Sequence, residues 1–335
     1  MAGAAKELGE AIIINPNHAE EIARALQEAL NMPEEEQTRR NQIMQQRLRR
    51  HDVVHWAKDF IDQLLAAAEN HKKFLAKLLT AALKEDLVQA FRKSKRRLIF
   101  LDYDGTLVAF APSPEQAKPS NQLIGLLKLL SEDPRNEVVL ISGRDRKSLE
   151  QWFGMLSLGL AAEHGIWTKE KNDAWKLIKP STNGWMAQIR PLLDSFVDRL
   201  PGSFVEEREF SLAWHYRRAD PDEASHLAKE LSDSLIHLTA NMDLQVFQGN
   251  KVVEIRNAGI HKGAAALAWL TKDIFDFVMA MGDDSTDEEL FKVLPETAYT
   301  LRVGITQSYA RLNVRNHLEA IELLEGLTRR DPSPI

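Results

Sequence analysis

The feature that most constrains this chain is a recurrence after residue 95: short apolar runs, each closed by a polar cluster and followed by a helical stretch. The runs are Leu98-Ile-Phe-Leu101, Val138-Val-Leu-Ile141, Leu158-Gly-Leu-Ala-Ala162, Phe277-Val-Met-Ala-Met281 and Tyr299-Thr-Leu301. Apolar strands alternating with helices predict an α/β fold, a Rossmann-like parallel sheet with crossover helices. Ligands of such sheets bind beyond the carboxyl ends of the strands. Four of the runs end there in groups that carry chemistry. They are Asp102 and Asp104, then Ser142-Gly-Arg144, then Glu163-His-Gly165, then Gly282-Asp-Asp-Ser-Thr-Asp-Glu288.

Two other textures flank this one. Residues 1–92 predict a helical segment after the short run Ala11-Ile-Ile-Ile14. Asn17 and Glu20 read as a capping pair ahead of Ile22, Leu26 and Leu30, and Pro33 opens a second helix ending in Arg47-Leu-Arg-Arg50. A third apolar stripe runs from Val53 to Leu65 and a fourth from Phe74 to Phe91, both read as packing faces. Residues 181–253 interrupt the sheet pattern. Phe210-Ser-Leu-Ala-Trp-His-Tyr216, Leu244-Gln-Val-Phe247 and Val252-Val-Glu-Ile255, with helical stretches near 184–200 and 221–240, predict a small α+β unit inserted as a cap. The core is then 93–180 and 254–330.

Two carboxylates one residue apart repel each other unless a cation or proton lies between them. If the strands are parallel neighbours, Asp102, Asp104 and Asp283 supply the hard oxygen ligands that Mg²⁺ prefers, with a substrate phosphate and water completing the shell. A carboxylate held against a phosphoryl group is also a nucleophile, and Asp102 is the candidate. Asp104 is placed to protonate the leaving alcohol and then take a proton from the attacking water. Ser142 and the backbone amides near Gly105 and Thr106 are expected to cradle phosphate oxygens. Lys262, in Gly259-Ile-His-Lys-Gly263, adds positive charge. Arg144, Glu163 and His164, at the ends of neighbouring runs, are candidates for holding the substrate.

In order, "DYDGTL", "ISGR", "GIHKG" and "GDDSTDE" resemble the four motifs of the haloacid dehalogenase-like superfamily. Within it, "LDYDGTL", "ISGRD", "AEHG", "AWHYR", "VVEIR" and "MGDDSTDEELF" resemble the trehalose-6-phosphate phosphatase family over roughly residues 95–325. The resemblance implies a haloacid dehalogenase-type core with an inserted cap, and hydrolysis of trehalose 6-phosphate. It also implies Asp287 as a supporting metal-site carboxylate and Glu206, Arg217 and Glu254 as cap residues that hold the sugar or its phosphate. One departure is visible: the family usually has a lysine two positions after Glu206, and Arg208 stands here. A guanidinium still donates to a sugar hydroxyl, but it is planar and longer.

The stretch "AGAAKELGEAIIINPNHAEEIARALQEALNMPEEE", followed by "RRHDVVHWAKDFI", resembles the carboxyl-terminal end of the trehalose-6-phosphate synthase family. That implies Glu21 near a sugar nucleotide, but the other residues such a site needs are missing, so synthase activity is not expected. The segment is either a remnant of a fused bifunctional enzyme or the cut edge of a longer chain.

Composition narrows the alternatives. The net charge of −6 gives no broad basic field for nucleic acid or anionic lipid, and the local cluster Arg92–Arg97 reads as a solvated approach to a strand. There is no cysteine, which excludes disulfides, thiolate metal sites and cysteine nucleophiles. With no signal-like amino terminus and no apolar run of spanning length, the cytoplasm is the expected location. Two further readings stay open. One is a regulatory subunit that binds the sugar phosphate without turnover, docked to a trehalose-6-phosphate synthase. The other is a phosphatase for a different sugar phosphate.

Overall fold

The computed structural model describes residues 8–50, 56–58, 60–65, 77–111, 113–179 and 182–329. The chain divides into two units, Met1–Lys73 and Phe74–Ile335. In the first, helices span Ala19–Asn31 and Glu34–Arg50. The amino-terminal cap of the first helix is His18, whose ring Nδ1 accepts from the Glu21 N–H at 3.1 Å. The expected Asn17–Glu20 box does not form, because the helix begins one residue later and the imidazole already satisfies the orphan donor. No residue of this helix is buried, and Leu26 and Leu30 stand exposed. Trp56, Phe60, Ile61, Leu64 and Leu65 of the third stripe are also exposed. Val53, Phe74 and Leu75 lie outside the described residues.

The second unit is built on an eight-stranded sheet in the order β12-β11-β10-β1-β2-β3-β4-β5. β1 (Arg97–Leu101) lies between β10 (Phe277–Gly282) and β2 (Asn136–Ile141), parallel to both. β3 (Gly159–Ala162), β11 (Tyr299–Val303) and β12 (Leu312–Val314) extend the parallel run. β4 (Trp167–Lys169) and β5 (Lys176–Leu177) add antiparallel edge strands. Every residue of β1 and β10 is buried, as unbroken apolar runs require when helices cover both faces.

A second sheet, β6-β7-β9-β8, is wholly antiparallel. It comprises β6 (Phe204–Glu207), β7 (Ser211–His215), β8 (Leu244–Gly249) and β9 (Val252–Asn257). Helices Met186–Arg199 and Pro221–Thr239 pack on it around Trp214, Leu193 and Leu231, giving the cap its own core. Its other face is left to line the crevice.

Both boundaries drawn from sequence move. The helix Ala81–Lys93 belongs with the sheet: Leu87, Val88 and Phe91 are buried in the same cluster as Ile99 and Phe277. Residues 77–79 also run along β12, with Leu79 N–H donating to Asn313 O at 2.8 Å. Helical periodicity alone did not show which unit would bury that face. The cap reaches Asn257 rather than residue 253, because β9 is an inner strand whose pairs with β7 and β8 continue through Arg256 and Asn257.

Candidate active site

Register brings the acidic groups together. Leu101 pairs with Met281, and Asp102 N–H donates to Met281 O at 3.0 Å, so the residues just past β1 and β10 emerge side by side. Carboxylate oxygens of Asp102, Asp283 and Asp287 lie within 4.8 Å of one another. Asp287 comes from the next helix, Ser285–Val293, as the reciprocal half of a capping box with Asp284. Its Oδ2 accepts from the Asp283 and Asp284 N–H groups at 2.9 and 3.0 Å. Lys262, at the start of the helix Lys262–Leu270, donates to Asp102 Oδ1 at 2.6 Å and Asp287 Oδ1 at 2.8 Å.

The backbone is cut to this arrangement. Gly105 has φ +83°, and a Cβ there would stand 2.3 Å from Asp283 Oδ2. A Cβ on Gly282 would stand 2.1 Å from Asp287 Cγ. Any larger residue at either position pushes the carboxylates apart.

One ammonium does not balance these acids. Burial, with Asp102, Asp287 and Asp284 nearby, pushes Asp283 up to about 10. Burial also raises Asp102 and Asp287 in spite of Lys262. Burial alone would depress Lys262, but Asp102 and Asp287 outweigh it and hold its ammonium charged. An all-oxygen donor set this short of positive charge fits a hard divalent cation, and Asp102, Asp283 and Asp287 are the residues that would hold it.

Asp104 does not join them. Its carboxylate accepts from Arg144 Nε and Nη2 at 2.8 and 2.7 Å, a two-pronged pair, so the side chain expected on the cation faces the guanidinium instead. The Gly105 amide, expected to bind phosphate, already donates to Val108 O at 2.8 Å to close its turn. Thr106 is buried and donates its hydroxyl to Asp283 Oδ1 at 3.3 Å. Ser142 lies beside the crevice, its Oγ accepting from Arg144 N–H at 3.2 Å.

Above the sheet is a crevice of about 440 Å³ whose lining includes Asp102, Asp104, Ser142, Arg144, His164 and Lys262 from the core. Glu206, Arg208, His215, Arg217 and Glu254 line it from the cap. Arg208 donates to both Glu206 oxygens at 3.1 and 2.7 Å and comes within 3.6 Å of Glu254 Oε1. His215 Nε2 lies 2.7 Å from Glu206 Oε2, with Phe204 stacked on its ring. Burial would raise Glu206, yet the Arg208 charge and the hydrogen bonds from His215 and Arg208 hold it well below the usual carboxylate range.

His164 crosses from core to cap, its Nε2 lying 3.0 Å from Glu254 Oε2. Burial disfavours charge on either member. Arg256 and Lys262 further oppose a proton on His164, while the His164 ring, Arg208 and Arg256 hold Glu254 ionised, well below its ordinary range. Glu163 makes a second crossing, accepting from Phe210 N–H at 3.3 Å. Burial pushes its carboxyl up to about 7 despite Arg208. Arg217 donates to Asn250 O at 2.7 Å and lies over the Phe110 ring.

The sequence reading missed His215, Phe204, Trp152 and Asp284 as site residues. His215 had a signal, since it alternates with Ala213 along the same strand as the buried Trp214 and so faces the crevice side. Trp152 had none, being one apolar residue on an amphipathic helix.

A parallel sheet carrying an acidic cluster past its central strands, with an α+β cap inserted over the crevice, defines a haloacid dehalogenase-type hydrolase fold. The trehalose-phosphatase family model matches residues 100–317, and the chain belongs to that family. The glycosyltransferase family 20 model matches residues 1–66. The chain is 43% identical over 333 residues to a bifunctional trehalose-6-phosphate synthase/phosphatase of Thermoproteus tenax, covering 98% of this chain and 45% of that protein. It is 32% identical to a trehalose-phosphatase of Saccharomyces cerevisiae, covering 88% of this chain and 35% of that one. The chain thus spans less than half the length of these curated relatives. Among solved structures, the C-terminal domain of a C. albicans trehalose-6-phosphate phosphatase superposes with a TM-score of 0.71 at 29% identity, over 73% of this chain and 96% of that one. Among the described residues no helix is long and apolar enough to cross a membrane.

Proposed function

We propose that this chain hydrolyses trehalose 6-phosphate to trehalose and phosphate, with Mg²⁺ as its cation. The observation that carries the reading is Asp102, buried at the crevice floor beside Lys262 and within reach of Asp283 and Asp287. An Asp102 oxygen attacks phosphorus as the bond from phosphorus to the sugar oxygen breaks, leaving an aspartyl-phosphate. Asp104, both of whose oxygens accept from Arg144 here, takes up a solvent proton as the substrate enters, gives it to the departing sugar oxygen, and takes one from the water that cleaves the acyl-phosphate. Lys262 offsets charge on Asp102, and Ser142 borders the phosphoryl group. When bound, Mg²⁺ supplies electrostatic neutralisation of the phosphoryl oxygens.

Selection of the sugar falls to the cap. Glu206 and Glu254 are held ionised by Arg208 and the two histidines, so they accept hydrogen bonds from sugar hydroxyls. Arg208, which stands where the family usually has lysine, is spent on orienting them. Arg217 and His164 border the same crevice, whereas Thr106 and Glu163, expected to hold the substrate, are buried outside its lining. We place the reaction in the cytoplasm, which a cysteine-free chain suits. Residues 1–66 support association with a trehalose-6-phosphate synthase, since they match a glycosyltransferase model.

The test is phosphate release over a panel of sugar phosphates, with and without Mg²⁺. Preference for trehalose 6-phosphate and loss on chelation are expected. Equal turnover of all the sugars overturns the substrate, and turnover that survives chelation overturns the metal.

A further inference from the structure

Asp104 is the one acidic residue of the first motif that stands away from the other carboxylates, and the structure shows what keeps it there. Arg144 grips it by two parallel N–H···O bonds of 2.8 and 2.7 Å. The guanidinium is itself confined, 5.3 Å from the Tyr103 ring centroid and 4.8 Å from that of Trp152. Tyr103 is fully buried and anchored by its hydroxyl to Ala117 O at 2.8 Å. The backbone on either side is tied as well: Arg144 N–H donates to Ser142 Oγ, and Arg144 O accepts from Glu163 N–H. Arg144 is 9% exposed at its side chain and Asp104 32%, so the arginine lies behind and the carboxylate looks into the crevice. A fork seated against two adjacent aromatic rings, whose centroids are 5.6 Å apart, loses little freedom on pairing and sets the orientation of its carboxylate.

We propose that Arg144 is a positioning residue for Asp104, holding that carboxylate toward the open crevice and apart from the Asp102–Asp283–Asp287 cluster, rather than a ligand of the substrate phosphate. The inference rests on the reading of Asp104 as the acid that serves the leaving group. Were the grip lost, Asp104 would be free to swing toward the cluster two residues away, and proton delivery to the sugar oxygen would suffer. A sugar alkoxide is a poor leaving group and needs that proton. A nitrophenolate leaves without it, so the rate of phosphoenzyme formation from an aryl phosphate reports the nucleophile and phosphate binding alone, whereas breakdown of the phosphoenzyme calls on Asp104 whichever substrate formed it.

The experiment measures KM and, by rapid quench, the rate of phosphoenzyme formation from trehalose 6-phosphate and from 4-nitrophenyl phosphate in wild type, Asp104→Asn, Arg144→Met and the double variant. Arg144→Met is expected to slow phosphoenzyme formation from the sugar phosphate by roughly tenfold or more, with KM and phosphoenzyme formation from the aryl phosphate within about twofold of wild type. In the Asp104→Asn background it should have no further effect, because a residue acting only through Asp104 has nothing left to position. If the methionine variant does not fold, Arg144→Lys carries the same expectations, since an ammonium keeps the charge but cannot form the fork. Trp152→Leu, which removes one of the two rings beside the guanidinium, should show the same selective pattern more weakly. A rise in KM on both substrates, or an equal loss in the Asp104→Asn background, makes Arg144 a phosphate ligand and overturns the inference. Equally slowed phosphoenzyme formation from both substrates in Asp104→Asn itself instead removes the acid role. A selective loss in Asp104→Asn with none in the arginine variants sinks the positioning role alone.

Discussion

Asp102, Asp283 and Asp287 at the sheet, and Glu206 and Glu254 in the cap, are carboxylates largely withdrawn from water, yet their surroundings drive them in opposite directions. Burial alone raises all five. At the sheet, Lys262 is the only cation in contact with the cluster among the described residues, and the acids also face one another. In the cap, Arg208 serves both glutamates and each has a histidine as well. Partners, not depth, separate them: Arg208 brings a cation to both glutamates, Arg256 a second to Glu254, and the histidine rings bring hydrogen bonds. The first group is built to take up positive charge, whereas the second has its charge already met and keeps acceptor capacity for a neutral ligand.

The strongest way to break this comparison is at Asp102, the proposed nucleophile. Asp102→Asn should reduce phosphate release by about 10⁴-fold or more on any substrate and leave no phosphoenzyme on rapid quenching. Residual turnover near wild type, in protein free of contaminating phosphatase, would return Asp102 to a purely structural role.

Next come the cap glutamates. Glu206→Ala or Glu254→Ala should lower kcat/KM for trehalose 6-phosphate by ~10²-fold, about 3 kcal/mol, while 4-nitrophenyl phosphate is barely affected. Steady-state kinetics on both substrates decides it, and equal losses would mean that the cap does not select the sugar.

A thermal-shift series sharpens the contrast without turnover. Mg²⁺ at about 100 times its Kd should stabilise the protein by about 2.7 kcal/mol. Asp283→Asn should remove most of that gain, and Glu206→Ala should leave it intact. A gain that follows the cap variant instead would place the cation elsewhere.

The smallest effect tests the seam between the two regions by pH. Glu163 sits near 7 in the folded protein against an ordinary 4.5, so its carboxylate costs stability increasingly from pH 4.5 to 7 and by a constant amount above. Glu163→Gln keeps an acceptor for Phe210 N–H and should be more stable than wild type at pH 8, by up to about 3 kcal/mol, with no gain at pH 4. Glu254 has the reverse sign. A depressed carboxyl contributes stability above its unfolded value and loses it as pH falls through the folded one, so Glu254→Gln should be the less stable protein at pH 7, the gap closing in acid. Urea melts at the two pH values check both, and parallel curves would show that neither site is as buried in solution as it is here.

Much of this was legible beforehand. The unbroken apolar runs named the central strands, and the polar residue just past each run named Asp102, Ser142, Glu163 and Asp283, because strand length and turn chemistry are set by neighbours in the chain. Alternating patterns near 210–216 and 244–255 marked the cap, though not Phe204–Glu207, a half-buried edge strand whose pattern mixes both textures. The helix Ala81–Lys93 was recognised as a helix but given to the wrong unit, since an apolar stripe states that it must be covered and not by what.

What the sequence determined by itself, then, was the inventory: which carboxylates, which lysine, and the strand ends that present them. What only the tertiary structure decided was the pairing. Arg144 took Asp104 out of the acidic cluster across 40 residues, Lys262 reached Asp102 across 160, and His164 met Glu254 across 90. Proton affinity depends on desolvation and on charges within a few ångströms, and those neighbours are supplied by the fold rather than by adjacent sequence.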